Sequence, residues 1–282
     1  MAGRRSLFLT GVLAFGYAFL YVPIASLVVY SFNASPLVTV WAGFSTKWYA
    51  ALLLNEQILG AAWLSLRIAA GNATLAALLG TLAAVALVRM GRFKGKGGLG
   101  FLIGVPLVLP EVIMGLALLL LFVAMERWLG WPGRGAVTIA IAHVTFSMAY
   151  VAVVVGARLG DLDPALEEAA MDLGAKPLKV FFAVTLPMIA PAVAAGWLLA
   201  FTLSLDDLVV ASFVSGPGAT TLPMVVYSSV RLGVSPEINA LATLIVGVVA
   251  IGVLVAGLLI AGRERRRARA QAEAVLTSRR SP

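Results

Sequence analysis

Ionisable side chains are scarce in this sequence, of which 12% is charged, so those that interrupt long apolar stretches indicate chemistry. The five that do so are Arg67, Glu111, His143, Asp206 and Asp207. A charged side chain inside a membrane is costly unless it faces protein or water, so such residues mark solute paths and relays. Carboxylates also attract cations strongly where the dielectric constant is low. We therefore predict a path for a positively charged solute, with Asp206, Asp207, Glu111 and His143 as the candidates to line it.

Each acid also has a structural interpretation, which the sequence leaves open. Glu111 follows Pro110 and would begin a half-helix after a break between Pro106 and Pro110. Adjacent positions of a helix point about 100° apart, so Asp206 and Asp207 cannot both face one path. One of the two would then serve structure, by pairing with Arg67 or with a partner subunit.

His143 and Arg67 have simpler interpretations. His143 is expected to be a polar group satisfied between helices, and Arg67 to extend its charge to the membrane interface or to pair with an acid. One histidine and no cysteine leave no set of metal ligands, and no phosphate-binding GxxxxGK[ST] loop appears in the sequence. The sequence therefore predicts neither a metal site nor a catalytic residue, and it contains no motif that would bind ATP in this chain.

The loop of residues 158–187 holds a second concentration of charge. Its five acids, in an otherwise acid-poor chain, are Asp161, Asp163, Glu167, Glu168 and Asp172. Asp163 followed by Pro164 is a typical helix start, and Gly174 is a typical stop. Between them an apolar stripe lies opposite an acidic face, at spacings of three and four residues; its members are Leu162, Leu166, Ala169, Ala170 and Leu173. We therefore predict a short amphipathic helix that a membrane scaffold presents to a partner protein.

The elements that position these residues are membrane helices. Apolar residues make up 61% of the chain and the mean hydropathy is +0.99, which excludes an ordinary soluble domain. A spanning helix needs about 20 mostly apolar residues, and no stretch alternates as barrel strands do. The six spans that qualify are 7–32, 62–88, 99–125, 136–157, 188–214 and 238–262. The prediction is an all-α integral membrane protein with a transmembrane domain over residues 1–262 and a basic tail over residues 263–282.

The distribution of basic residues orients these spans. Of the 21 lysines and arginines, sixteen fall in segments that are cytoplasmic if the N-terminus is inside, and four fall on the opposite side. The positive-inside rule therefore places both termini and the 158–187 loop in the cytoplasm. We attribute the net charge of +8 to basic residues that set the orientation in the membrane. The basic tail is expected to contact anionic membrane lipid rather than nucleic acid.

The cytoplasmic loop resembles the EAA signature of permeases from binding-protein-dependent ABC importers. The match covers 20 positions before the penultimate span, as in that family, and consists of Glu168, Ala169, Ala170, Gly174, Val184, Leu186 and Pro187. The resemblance implies a type I importer permease fold, in which this helix is the coupling helix that docks in a cleft of an ATPase subunit. The residues to which it assigns ATPase coupling are Glu168, Ala169, Ala170, Asp172, Leu173 and Gly174.

The resemblance extends over nearly the whole chain to the permeases of bacterial polyamine importers, in segments such as VTVWAGFSTKWY and LSLDDLVVASFVSGPGATTLPM. The sequence is more similar to those of putrescine importers than to those of spermidine importers. The resemblance implies an inner-membrane subunit that forms half of a polyamine path. Its partners would be a second permease subunit, two copies of an ABC ATPase that bind ATP and Mg²⁺, and a periplasmic polyamine-binding protein.

Two other classes of function use the same residues differently. An ion-coupled secondary transporter or channel for organic cations would use the acids as ion-coupling groups, but it offers no account of the EAA loop. A membrane enzyme acting on lipid would use Asp206 and Asp207 as catalysts, but the chain has no metal-ligand set and places these acids in the outer half of the membrane. The prediction is therefore a transport subunit that is not an enzyme, with the secondary transporter or channel as the alternative.

Overall fold

The computed structural model describes residues 7–37, 40–232, 236–252, 254, 255 and 258. Within these ranges the regular structure is helical, apart from one isolated bridge between Asn33 and Phe44. The predicted all-α class is confirmed. The described residues form two compact units, one from the two ends of the chain and one from Glu56–Ser228.

The helices are named in chain order. They are α1 (Leu7–Ser31), α2 (Lys47–Leu54), α3 (Glu56–Val88), α4 (Lys96–Val108), α5 (Glu111–Leu129), α6 (Ala136–Gly160), α7 (Ala165–Asp172), α8 (Pro177–Val180), α9 (Leu186–Leu205), α10 (Val209–Val214), α11 (Leu222–Leu232) and α12 (Pro236–Gly252). A π-helical turn, Phe181–Thr185, joins α8 to α9. Helices α1, α2 and α12 belong to the unit of the chain ends, and α3 to α10 belong to the other unit.

Five helical segments are long and apolar enough to cross a membrane. They are Phe8–Ser31, Glu56–Val88, Glu111–Leu129, Ala136–Gly160 and Pro177–Leu205. Each of them overlaps one of the first five predicted spans. Residues 238–252 of the sixth predicted span, 238–262, lie in α12. Of the rest of that span, only residues 254, 255 and 258 are described.

Two of the predicted spans are interrupted. Helix α4 ends before Leu109 and Pro110, both with ψ of 136°, and α5 begins with the next residue. This is the break that the prolines predicted, since a proline disfavours helical backbone at the residue before it. The second interruption lies between Leu205, the last residue of α9, and Val209, the first of α10. No proline or glycine lies in the three residues between them, so the sequence did not indicate this interruption.

The core of the Glu56–Ser228 unit lies where α3, α6 and α9 pack together. Ala73, Ala76 and Ala84 of α3 are buried in one cluster with Val151 of α6. At Gly80 a Cβ atom would lie 2.7 Å from the Val151 Cβ, so only glycine allows α3 and α6 to approach this closely. Close packing of small residues is a main source of helix association in membranes, where the hydrophobic effect between helices is absent. This packing holds in place the helix ends that carry the site residues.

In the unit of the chain ends, Asn33 organises the turn that follows α1. Its Nδ2 donates to the carbonyl of Val40 at 2.8 Å, and its Oδ1 accepts the N–H groups of Ser35 and Ala42 at 3.1 and 2.9 Å. The Asn33 carbonyl accepts the indole N–H of Trp48 at 2.7 Å. The side chain is buried and its polar atoms are bonded, so this turn is a compact structure tied to the start of α2.

Candidate functional site

The two interruptions meet at one cavity, which has a volume of about 290 Å³. Three of the predicted path residues line it: Glu111, Asp206 and Asp207. Aromatic side chains of Phe146 and Tyr150 lie in the same wall. The cavity therefore combines carboxylates with aromatic rings, and both groups attract organic cations.

Asp207 is engaged by the protein around it. Its Oδ2 accepts the N–H of Ala211 at 2.7 Å, and its Oδ1 accepts the N–H of Val210 at 3.3 Å. These are N–H groups of the first turn of α10, so Asp207 satisfies donors that the start of a helix leaves without partners. Its Oδ2 also lies 3.1 Å from His143 Nε2, and the two side chains are only 6% and 1% exposed. Asp207 therefore holds the start of α10 against α6.

His143 is buried between α6 and the end of α9, and it does not line the cavity. Its Nδ1 shares a hydrogen bond of 2.6 Å with Ser204 Oγ, in the last turn of α9, while its Nε2 contacts Asp207. Both ring nitrogens thus have a partner, in agreement with the interpretation of His143 as a satisfied polar group. One imidazole therefore links the last turn of α9 to Asp207, which lies within the interruption.

Asp206 differs from its neighbour because it makes no ion pair with any described residue. It lies just after the end of α9, its side chain is exposed, and it lines the cavity. The expectation that Asp206 and Asp207 cannot both face one path does not hold, because it assumed a continuous helix. The expectation that one of the two acids serves structure agrees with the contacts of Asp207.

Glu111 is the first residue of α5, on the opposite side of the proline break from α4. Its side chain is exposed, and the N-cap residue of α5 is Pro110, which makes no side-chain capping hydrogen bond. A carboxylate at this position is favoured by the positive end of the helix dipole. Glu111 therefore places a carboxyl group at the cavity wall that makes no ion pair with another described residue.

Arg67 lies away from this cavity. It is exposed in a separate cleft near the first turns of α3, together with Glu56, Gln57 and Trp63. Among the described residues no ion pair to Arg67 is formed, which agrees with a side chain that extends to the interface rather than one that pairs with an acid.

The predicted amphipathic helix of the 158–187 loop is α7. The Asp163 carboxylate accepts the N–H of Ala165 at 3.0 Å, as expected of a residue that begins a helix. Gly174 has a φ of +86°, and its N–H donates to the carbonyl of Met171 at 2.8 Å. The N–H of Ala175 donates to the carbonyl of Ala170 at 3.2 Å. These two bonds with a left-handed glycine form a Schellman motif, so the local sequence determines where α7 ends.

Most of the predicted stripe of α7 is left uncovered. Leu166 is 48% exposed and Leu173 is 90% exposed, whereas Leu162, just before the helix, is buried in the core. The other residues assigned to coupling are exposed or, for Ala170, partly exposed; they are Glu168, Ala169, Ala170, Asp172 and Gly174. The apolar and acidic positions of this helix thus form one accessible surface.

Glu167 behaves differently from the other acids of the loop, and the sequence did not predict its role. Its Oε2 lies 3.2 Å from Arg89 Nε, and its Oε1 accepts the hydroxyl of Thr185 at 2.8 Å. Arg89 Nη2 also donates to the carbonyl of Leu162 at 3.0 Å. The three side chains of Glu167, Arg89 and Thr185, which we call the Glu167 clamp, join α7 to the end of α3 and to the turn before α9.

Residues 76–269 match the model of a protein family described as binding-protein-dependent transport system inner membrane component. The chain is 66% identical over 241 residues to the putrescine transport system permease protein PotI of Escherichia coli (strain K12), covering 85% of this chain and 86% of PotI. It is 45% identical over 248 residues to the spermidine/putrescine transport system permease protein PotC of the same strain, covering 87% of this chain and 90% of PotC.

Solved structures resemble the chain at low sequence identity. One is a chain of a bacterial ABC transporter involved in the import of the acidic polysaccharide alginate, with a TM-score of 0.70, 17% identity, and coverage of 92% of this chain and 98% of that one. Another is a chain of a bacterial alginate ABC transporter in complex with a periplasmic protein bound to an alginate pentasaccharide, with a TM-score of 0.68, 17% identity, and coverage of 88% and 90%. At this identity the likeness concerns the fold alone.

Proposed function

The chain belongs to the family of binding-protein-dependent transport system inner membrane components, and from this membership we propose that it is a membrane-spanning subunit of an ATP-driven polyamine importer. The predicted type I importer permease fold agrees with the likeness to the ABC transporter chains. Family membership also favours this function over an ion-coupled secondary transporter, a channel or a lipid-modifying enzyme. The observation that carries the proposal is the 66% identity to a putrescine permease over most of both chains.

The cavity supports a small polyamine as the solute. Pockets for drug-sized ligands measure about 300 to 1,000 Å³, and this one, at about 290 Å³, has the size for a short flexible diamine. The carboxylates of Asp206 and Glu111 form no ion pair within the part of the chain that the structure describes, so they would accept the ammonium groups. The rings of Phe146 and Tyr150 would add cation–π attraction. Asp207 and His143 would position α10 rather than contact the solute.

The accessible surface of α7 supports docking to a separate ATPase. Its exposed leucines and acids offer apolar contact and charge-assisted hydrogen bonds to a groove. In this proposal two ATPase subunits bind ATP and Mg²⁺, a second permease subunit completes the path, and a periplasmic polyamine-binding protein delivers the solute. The complex lies in the inner membrane, with both termini of this chain and α7 in the cytoplasm, as the positive-inside distribution indicates.

Transport would follow from two states of the paired permeases. ATP binding shifts the equilibrium between them only through its different affinity for each state, so the ATPase must be linked mechanically to the membrane helices. The cavity lies at the two helix interruptions, where α5 and α10 begin. Because both starts meet at the cavity, movement of α5 or α10 would open or close it.

Uptake of labelled putrescine tests this function. In a bacterial strain without other polyamine importers, the chain expressed with its ATPase, second permease and binding protein should give saturable uptake that unlabelled putrescine suppresses. Competition by spermidine then ranks the two polyamines. The chain expressed alone is the control and should give no uptake, because it lacks the motor. Uptake by the chain alone would contradict the proposal and support a self-sufficient transporter.

A further inference from the structure

Helix α7 is attached to the rest of the protein by little apolar packing, since none of its eight residues is buried. An element that must move other helices needs a firm connection to them, because a loosely attached helix would move alone. The connection between α7 and the neighbouring segments is polar and is made by Glu167. Its neighbour Glu168 faces outward and is exposed. Two adjacent acids therefore have different tasks.

The Glu167 clamp joins three parts of the chain. Arg89 directly follows the end of α3, and Thr185 is the last residue of the π-helical turn before α9. Arg89 also holds the carbonyl of Leu162, the buried residue that leads into α7. Helices α3 and α9 pack against each other in the core. The Glu167 clamp therefore contacts the end of α3 and the turn before α9, which belong to one packed unit.

The environment of the clamp makes its ion pair stronger than a surface pair. Arg89 and Glu167 are only 17% and 19% exposed, and the carboxylate accepts from both a guanidinium and a hydroxyl. Charge-assisted hydrogen bonds are roughly twice as strong as neutral ones, and partial burial reduces the screening that weakens exposed pairs. Loss of Glu167 would also leave the charge of Arg89 without its acid.

We infer that the Glu167 clamp is the joint that transmits movement of α7 to α3 and α9. This rests on the proposed function, in which α7 docks to the ATPase. Glu167 is then a positioning residue: it does not contact the ATPase or the polyamine. Without the clamp the ATPase still docks on the exposed surface of α7 and still hydrolyses ATP, but α7 moves without the membrane helices. The signature is ATP consumption with little transport.

The purified four-component complex in lipid vesicles tests this inference, with ATP hydrolysis and putrescine uptake measured on the same sample. Glu167→Ala should lower uptake per ATP hydrolysed by roughly tenfold, within the usual range of coupling between sites, while subunit yield stays unchanged. Glu167→Gln keeps an acceptor for Thr185 and should lose less. Asp161→Ala is the matched control, because Asp161 is an exposed acid of the same loop outside the clamp and outside α7.

A cross-link between the Arg89 and Glu167 positions can replace the lost connection and restore coupling. It can be placed selectively, because this chain contains no cysteine of its own. Arg89→Cys combined with Glu167→Cys should be poorly coupled when reduced, and joining the two thiols with a short bifunctional reagent should restore uptake per ATP. A merely structural side chain would not produce this recovery.

Three results overturn the inference: wild-type uptake per ATP in Glu167→Ala, loss of assembly in both Glu167 variants, or a cross-linked protein that hydrolyses ATP without transport. Failure of the proposed function is distinct from these, because the wild-type complex itself would then take up no putrescine.

Discussion

Glu168→Lys is expected to abolish putrescine uptake while the chain still inserts into the membrane. Glu168 is exposed on α7, among the residues to which the EAA signature assigns ATPase coupling. A lysine there reverses the charge at the centre of the proposed docking surface. An unpaired charge buried in an interface costs about 3 to 5 kcal/mol, which corresponds to more than a hundredfold loss of affinity for the ATPase.

Co-purification of the ATPase with the tagged chain measures this effect, together with the amount of chain in the membrane fraction. Asp161→Lys is the matched control: it makes the same change of charge in the same loop but outside α7, and it should keep both ATPase and uptake. Full ATPase recovery with Glu168→Lys would mean that α7 is not the docking helix.

Asp206→Asn is expected to lower putrescine uptake by roughly ten- to a hundredfold without lowering the yield of the complex. A hydrogen bond to a charged group contributes about 1.5 to 3 kcal/mol, and Asp206 lines the cavity without an ion pair to any cation among the described residues. Asparagine fills the same space but lacks the charge that attracts an ammonium group. Folding is little affected, because no described ion pair depends on Asp206.

Asp207→Asn is the matched comparison, one residue away. It should lower the yield and thermal stability of the complex along with uptake, because Asp207 receives two backbone N–H groups of α10 and contacts His143. Removing a buried partner of this kind costs about 1 to 3 kcal/mol. Uptake normalised to the amount of complex separates the two variants. If Asp206→Asn lost yield and uptake equally, Asp206 would be structural and the cavity would not be the cation path.

The features that the sequence predicted depend on local signals. Long apolar stretches predicted the membrane helices, and Pro106 and Pro110 predicted the break before α5. Asp163 and Gly174 marked the limits of α7, because capping depends on residues within one turn. The family signature lies in the same local segment. Relatives with 66% and 45% identity are named as transport system permease proteins, which is the class of protein that the signature implies.

The features that were missed depend on residues far apart in the chain. Arg89 and Glu167 are 78 positions apart, and His143 and Asp207 are 64 apart, so no local pattern relates them. The interruption after Leu205 has no proline, and Asp207 within it is bonded to His143 of α6 and to the N–H of Ala211 in α10. Single-sequence reasoning therefore located the three acids of the cavity but not which of Asp206 and Asp207 serves structure.

Cross-linking from α7 tests most directly the claim that this chain is moved by a separate ATPase. Ala169→Cys places a thiol on the exposed surface of the helix, in a chain without other cysteines. A thiol-specific photo-crosslinker attached there, in membranes that contain the whole complex, should yield a product containing the ATP-hydrolysing subunit. Leu54→Cys should not, because Leu54 lies between the first two predicted spans, 7–32 and 62–88, on the side of the membrane opposite to the N-terminus. Products that contain only lipid or other segments of this chain would contradict the account.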